Sequence, residues 1–161
     1  MKLAHRRVLP VAVAMICVLV WAPAAAAIIQ VQRGISGVAL GMTPAQVKAG
    51  LGAPPKVKKG INDFGKFTQY LYAGGSLTVT FQGNTDVTGV AITGQTDKTP
   101  KGVGVGSTEA AVKSGVKGVS CHTTAGTRSC DVGKFRPGHR VTDFLLKAGK
   151  VVRVTVGFVI D

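Results

Sequence analysis

The 161-residue sequence predicts an α+β fold: two tandem helix-plus-antiparallel-strand repeats that share one sheet and pack their helices on one face. Three observations predict it. The stretch Gly37 to Leu51, GVALGMTPAQVKAGL, returns 65 positions later as GVGVGSTEAAVKSGV, Gly102 to Val116, with eight of fifteen pairs identical. Such a period marks a chain built from like units. Each copy opens with a helix-start signal, and each is followed by apolar residues at the period-2 spacing of half-buried strands.

The helix signals are specific. Thr43 stands where an N-cap hydroxyl accepts from a free backbone N–H, Pro44 suits the first helical position, and Gln46 completes a capping box. In the second copy Thr108 is the cap and Glu109 places an acid at the positive end of the helix dipole, while Ala111 forgoes the box. Val47 and Leu51, like Val112 and Val116, are four apart and face the same way. Gly50 and Gly52, and Gly115 and Gly118, limit each helix to about two turns.

Taken in order, residues 1–27 read as a secretory signal. Lys2, Arg6 and Arg7 precede an apolar run from Val8 to Trp21, and Ala25-Ala26-Ala27 offers a small-residue cleavage site before Ile28. An uncleaved anchor is the alternative, since Val8 to Ile29 is long enough to span a bilayer. Repeat 1 then covers 28–96, a linker 97–101, and repeat 2 covers 102–161. In the first, Ala53 to Gly60 reads as a basic loop, Phe67 to Tyr72 as a strand ending at Gly74-Gly75, and Leu77, Val79 and Phe81 as one face of the next strand. Val90 and Ile92 continue beyond the turn at Gly83 to Asp86, and Gln95 to Lys101 is polar. In the second, Gly126 to Cys130 and Val141 to Leu146 read as strands. Val152, Val154, Val156, Phe158 and Ile160 alternate along a last one.

Composition bounds the chemistry. Without Lys2, Arg6 and Arg7 the chain keeps 17 basic against 7 acidic residues, a net +10 that bears on partners and solubility rather than on fold. Cys121 and Cys130, the cysteines left after the signal, read as a disulfide in an oxidising compartment. A metal site is the weaker reading, because His122 and His139 are the other soft ligands and no Cys-x-x-Cys or ligand-spaced His pair occurs. Nor is there a Gly-x-Ser-x-Gly elbow or a close carboxylate pair in the sequence. Gly102 to Thr108 lacks the lysine and spacing of a phosphate loop. Ser129, Asp131 and His139 make a triad only on paper. The chain is therefore expected to be no enzyme and to need no cofactor or metal.

Binding candidates remain. The segment Lys134 to Arg140 joins Lys134, Arg136, His139 and Arg140 to one aromatic, Phe135, the composition enriched at interface hot spots. Lys56, Lys58, Lys59 and Lys66 form a second basic group. Tyr70 and Tyr72 share one strand face and are either core or binding surface.

The doubled pattern Gly41-Met42-Thr43-Pro44-Ala45-Gln46-Val47 and Gly106-Ser107-Thr108-Glu109-Ala110-Ala111-Val112, each with strands behind it, resembles the β-lactamase inhibitory protein (BLIP) family and the smaller envelope proteins of the BamE/SmpA type. The likeness covers 35 to 160. It implies tandem helix-plus-strand units, a continuous antiparallel sheet, and a concave face that in BLIP grips an enzyme. This chain departs from BLIP in having one cysteine pair instead of a disulfide in each half. It also has Ala73-Gly74-Gly75-Ser76 where BLIP presents an aspartate, and Phe135 is a loose counterpart of the second-loop aromatic. The expectation is a secreted, monomeric, non-catalytic module that binds a protein, with an inhibitor of an extracellular or envelope enzyme as one form of it. The alternative is an envelope component held by anionic polymers through its basic surface.

Overall fold

The structure is a computed structural model and describes residues 28–83 and 85–160. The signal expected at residues 1–27 lies outside them. Three two-residue strands open the chain: β1 (Ile29–Gln30), β2 (Gly34–Ile35) and β3 (Val38–Ala39), paired antiparallel in that order. Gly34 is required there, because a Cβ would meet the Val38 carbonyl oxygen at 2.0 Å.

Helix α1 (Pro44–Leu51) starts as its sequence dictates. Thr43 Oγ1 accepts from the Gln46 N–H at 3.3 Å, and Gln46 Oε1 accepts from the Thr43 N–H at 2.8 Å. Strands β4 (Lys56–Asn62), β5 (Gly65–Tyr72), β6 (Leu77–Gln82) and β7 (Val87–Ile92) follow as a meander. Helix α2 (Glu109–Gly115), capped by Thr108 Oγ1, precedes β8 (Ser120–Thr124), β9 (Thr127–Gly133), β10 (Arg140–Lys147) and β11 (Lys150–Phe158). All eight of these longer strands form one sheet in the order β4-β5-β6-β7-β11-β10-β9-β8, joined in the middle by Ile92 opposite Val154 and Val90 opposite Val156. Ala125-Gly126 and Ala148-Gly149 make the β8–β9 and β10–β11 turns with positive φ at both central residues, the geometry that matches strand twist.

One face of the sheet builds the core. Tyr70, Leu77, Val79, Phe81, Val90, Ile92, Val154, Val156, Phe144, Leu146 and Cys130 point there, under Ile29, Ile35 and Val38 from the small sheet. Apolar burial on this scale is the main favourable term in folding. The opposite face carries Leu71, Thr78, Ala91, Thr155 and Asp143, half-buried and uncovered by either helix.

The expected α+β class, with helices packed as a layer on one face of tandem repeats, is corrected by this architecture. The fold is β-rich, mostly antiparallel strand. The helices are eight and seven residues long, the first capped by Gly52 and the second by Val116, and each buries one residue, Val47 or Val112. They plug the core face where a layer was expected. Two local readings also change. The basic stretch from Lys56 is a strand, not a loop. Val152 does not continue the buried row, because a bulge between Leu145 and Leu146 sets Leu146 opposite Val151 and leaves Val152 exposed. The polar segment before Gly102 is anchored. Asp97 and Thr99 are buried, the Ser36 hydroxyl donates to Asp97 Oδ1 at 2.6 Å, and the Ile29 N–H donates to the Lys98 carbonyl at 3.0 Å.

Candidate functional site

The segment Lys134 to Arg140 links β9 to β10, and its backbone is tied down at several points. The Gly138 N–H donates to the Val159 carbonyl at 2.9 Å, the Val159 N–H returns a bond to the His139 carbonyl at 2.9 Å, and the His139 N–H reaches the Arg136 carbonyl at 3.0 Å. Lys134, Phe135, Arg136, His139 and Arg140 all project to solvent, and Phe135 is 61% exposed. The Arg140 guanidinium lies 5.6 Å from the Phe158 ring centre, a cation–π contact that fixes its direction.

A groove of about 830 Å³ opens beside this loop, and its other wall comes from the far end of the chain. Val31, Gln32 and Arg33, in the turn between β1 and β2, face Lys134, His139 and Arg140 across it. Gln32 clamps the two walls together. Its backbone N–H donates to Thr142 Oγ1 at 2.7 Å and its side-chain Nε2 donates to the Arg140 carbonyl at 2.8 Å. Gly133 permits this approach, since a Cβ there would lie 2.4 Å from the Arg140 carbonyl oxygen and 2.8 Å from Gln32 Nε2, at a φ of +119°. The lining bears Arg33, Lys134, His139 and Arg140 and no acid, so the groove attracts carboxylates and phosphates. Sequence reading found one wall and missed the other: Gln32 lies 110 positions from Thr142, and no local pattern links them.

The disulfide is present. Cys121 and Cys130 face each other across β8 and β9 with Cα atoms 3.9 Å apart and a sequence separation of 9. A loop of that length gives about 2–3 kcal/mol in the chain-entropy account. It braces the edge hairpin three residues before the groove begins at Gly133. With both sulfurs bonded, their closeness to Glu109 offers no thiolate for a metal. Glu109 is already engaged. Arg128 and Lys113 hold its carboxyl well below the usual range, at about 2.

Tyr70 and Tyr72 are both buried in the core, and Tyr70 also lines a cavity of about 370 Å³ beside Lys48 and Lys59. The Tyr70 ring meets Phe81 edge-on at 4.8 Å, and the Tyr72 hydroxyl donates to the Gly52 carbonyl at 3.1 Å. Burial first, and then Tyr70, raises the Tyr72 pKa.

On the uncovered sheet face, Asp131 of β9 sits opposite Asp143 of β10. His122 Nδ1 is 3.1 Å from Asp131 Oδ2, so the histidine beside this aspartate is His122 and not His139. Asp131 is only 6% exposed, and its carboxyl is pushed up to about 7 by burial, then by its hydrogen bond to Asp143 and that residue's charge, against an opposing pull from His122.

No family model matches the chain, and no curated protein does either. Among solved structures, an extracellular protein containing an SCP domain from Bacillus anthracis superposes with a TM-score of 0.52 at 10% identity, over 74% of this chain and 44% of that one. The chain thus spans less than half of that protein's length. A DUF4309-family protein from Bacillus subtilis gives 0.42 at 17% identity, over 72% of this chain and 78% of its own. Neither is described as a β-lactamase inhibitory protein or a BamE/SmpA-type protein. The disulfide is of the kind that persists in an oxidising compartment, and no helix among the described residues is long and apolar enough to cross a membrane. At such identities the likeness is one of fold alone.

Proposed function

We propose that the protein is an exported, non-catalytic binding module that holds a protein partner at the β9–β10 loop, after removal of residues 1–27. One observation carries the reading: Phe135 is 61% exposed on a loop whose backbone is already pinned to Val159, just beyond β11, and braced by the Cys121–Cys130 bridge. A soluble protein gains nothing by holding a large aromatic ring in water on a rigid loop. A loop ordered in advance loses little entropy on docking, so the ring's buried area goes into affinity. Arg33, Lys134, Arg136 and Arg140 around it favour an acidic partner surface and steer its approach.

The acid-free groove supports the second reading, an anionic envelope polymer as the ligand. Salt distinguishes the two. Binding to a polyanion falls steeply with salt as counterions are released, whereas a packed aromatic contact persists. The experiment is a pull-down from culture medium and cell-envelope extract at low and high salt, with the wild-type chain and with Phe135→Ala. Recovery of a salt-tolerant protein by the wild type and its loss with the variant is the expected result. Equal recovery by both would reject the loop as the site. Export is checked by the intact mass of the secreted product, which should begin within about three residues of Ile28. A mass retaining Met1 would indicate an anchor.

A further inference from the structure

At the opposite edge of the sheet, the β4–β5 hairpin ends in a tip unlike an ordinary protected edge. Ile61 is 76% exposed and Phe64 47% exposed, with Val57 also in solvent further down β4. Lys56, Lys58, Lys59 and Lys66 flank them, and Asp63 is the single acid between Lys56 and Tyr72. Because side chains alternate along a strand, Lys59 and Ile61 lie on one face with Lys66 opposite Ile61, while Lys56 and Lys58 lie on the other. Cations thus stand on both sides of an apolar point.

The tip is also held in shape. Gln82 Nε2 donates to the Phe64 carbonyl at 2.9 Å and to the Lys66 carbonyl at 3.2 Å, and Asn62 Oδ1 accepts from the Phe64 N–H at 3.0 Å. Lysines alone on an edge strand guard against pairing with another sheet. Exposed Ile61 and Phe64 work against that purpose, so the lysines do not account for the tip. Apolar side chains at a point, with basic residues behind them, match a surface that is anionic outside and apolar beneath. A bilayer bearing acidic lipids has that order of layers, and a soluble polyanion lacks the apolar one.

We propose that the tip of the β4–β5 hairpin docks on an anionic lipid bilayer, with Ile61 and Phe64 entering the headgroup boundary and Lys56, Lys58, Lys59 and Lys66 meeting lipid phosphates. The tip is five strand spacings from the β9–β10 loop, roughly 24 Å along the sheet, so the two surfaces can be altered independently.

The test is vesicle co-sedimentation of the chain beginning at Ile28, which contains the core cluster of the described residues, Ile29 to Val156. Vesicles of phosphatidylcholine with phosphatidylglycerol are compared with phosphatidylcholine alone, and with soluble polyphosphate as a competitor. Wild type should sediment with the acidic vesicles. The Ile61→Ser, Phe64→Ser double variant should bind them roughly tenfold more weakly while melting at the same temperature. Lys58→Glu with Lys59→Glu should lose binding as well. Trp21 lies before Ile28, so Phe64→Trp gives a single reporter whose emission should shift to the blue on acidic vesicles. No sedimentation with acidic vesicles would overturn the proposal. So would undiminished binding by the serine double variant, which would mean a purely electrostatic contact of the kind polyphosphate removes. Phe135→Ala should not change vesicle binding, so failure here leaves the β9–β10 reading standing and the reverse holds too.

Discussion

Replacing Phe144 with alanine should cost about 3–5 kcal/mol of folding stability, as large an effect as any single truncation here. The ring is fully buried at the centre of β10, opposite Cys130 on one side and Val154 on the other. Removing it leaves a cavity bounded by strands that cannot close without breaking their pairing. A domain of this size has a total stability of about 5–15 kcal/mol, so the variant should be near the edge of folding. Urea unfolding followed by circular dichroism measures it. Wild type and variant should each show one cooperative transition, because the two meanders are joined by the β7–β11 pair and share the core. Two transitions, with only one moved by the substitution, would contradict a shared core.

The second large effect is electrostatic. Asp131 is held at about 7 in the folded chain against an ordinary 3.8, so between those values the folded state binds more protons than the unfolded one. Stability from this group is therefore greatest below about pH 4, declines as pH rises, and is lost above about 7, where a buried carboxylate faces Asp143. Asp131→Asn removes the charge and keeps a donor for Asp143. It should raise stability at pH 8 by on the order of 1–3 kcal/mol and flatten the decline between pH 4 and 7. Urea midpoints at pH 5 and pH 8 give the answer. An asparagine variant no more stable than wild type at pH 8, with the decline intact, would show that this carboxyl ionises freely.

What the sequence revealed of this fold was its local chemistry. The caps at Thr43 and Thr108 were legible because hydroxyl-to-amide bonds three residues apart depend on the chain nearby. Strands β5, β6 and β10 were legible because one face is buried and the other is not, which writes alternation into the residues. Edge strand β4 was not, since nearly all of it is exposed and no alternation is imposed on its lysines. The same pattern could not weigh two short helices against eight strands, and the class came out too helical. Nor does alternation tell which face of β5 is covered, because the partners of Tyr70 and Tyr72, Phe81 and Gly52, lie on other elements. Half of the groove was legible as a cationic loop with one aromatic. Its other half, Gln32 and Arg33, depends on hydrogen bonds across about a hundred residues, where sequence spacing carries no information.

The central claim is that the β9–β10 loop is a binding surface and not a decorated edge of the core. Phe135→Ala tests it most directly when affinity for the recovered partner and unfolding stability are measured on the same protein. The account expects the dissociation constant to rise about thirtyfold, corresponding to about 2 kcal/mol for a hot-spot aromatic, while the unfolding free energy stays within about 0.5 kcal/mol of wild type. Unchanged affinity, with or without a loss of stability, would contradict it.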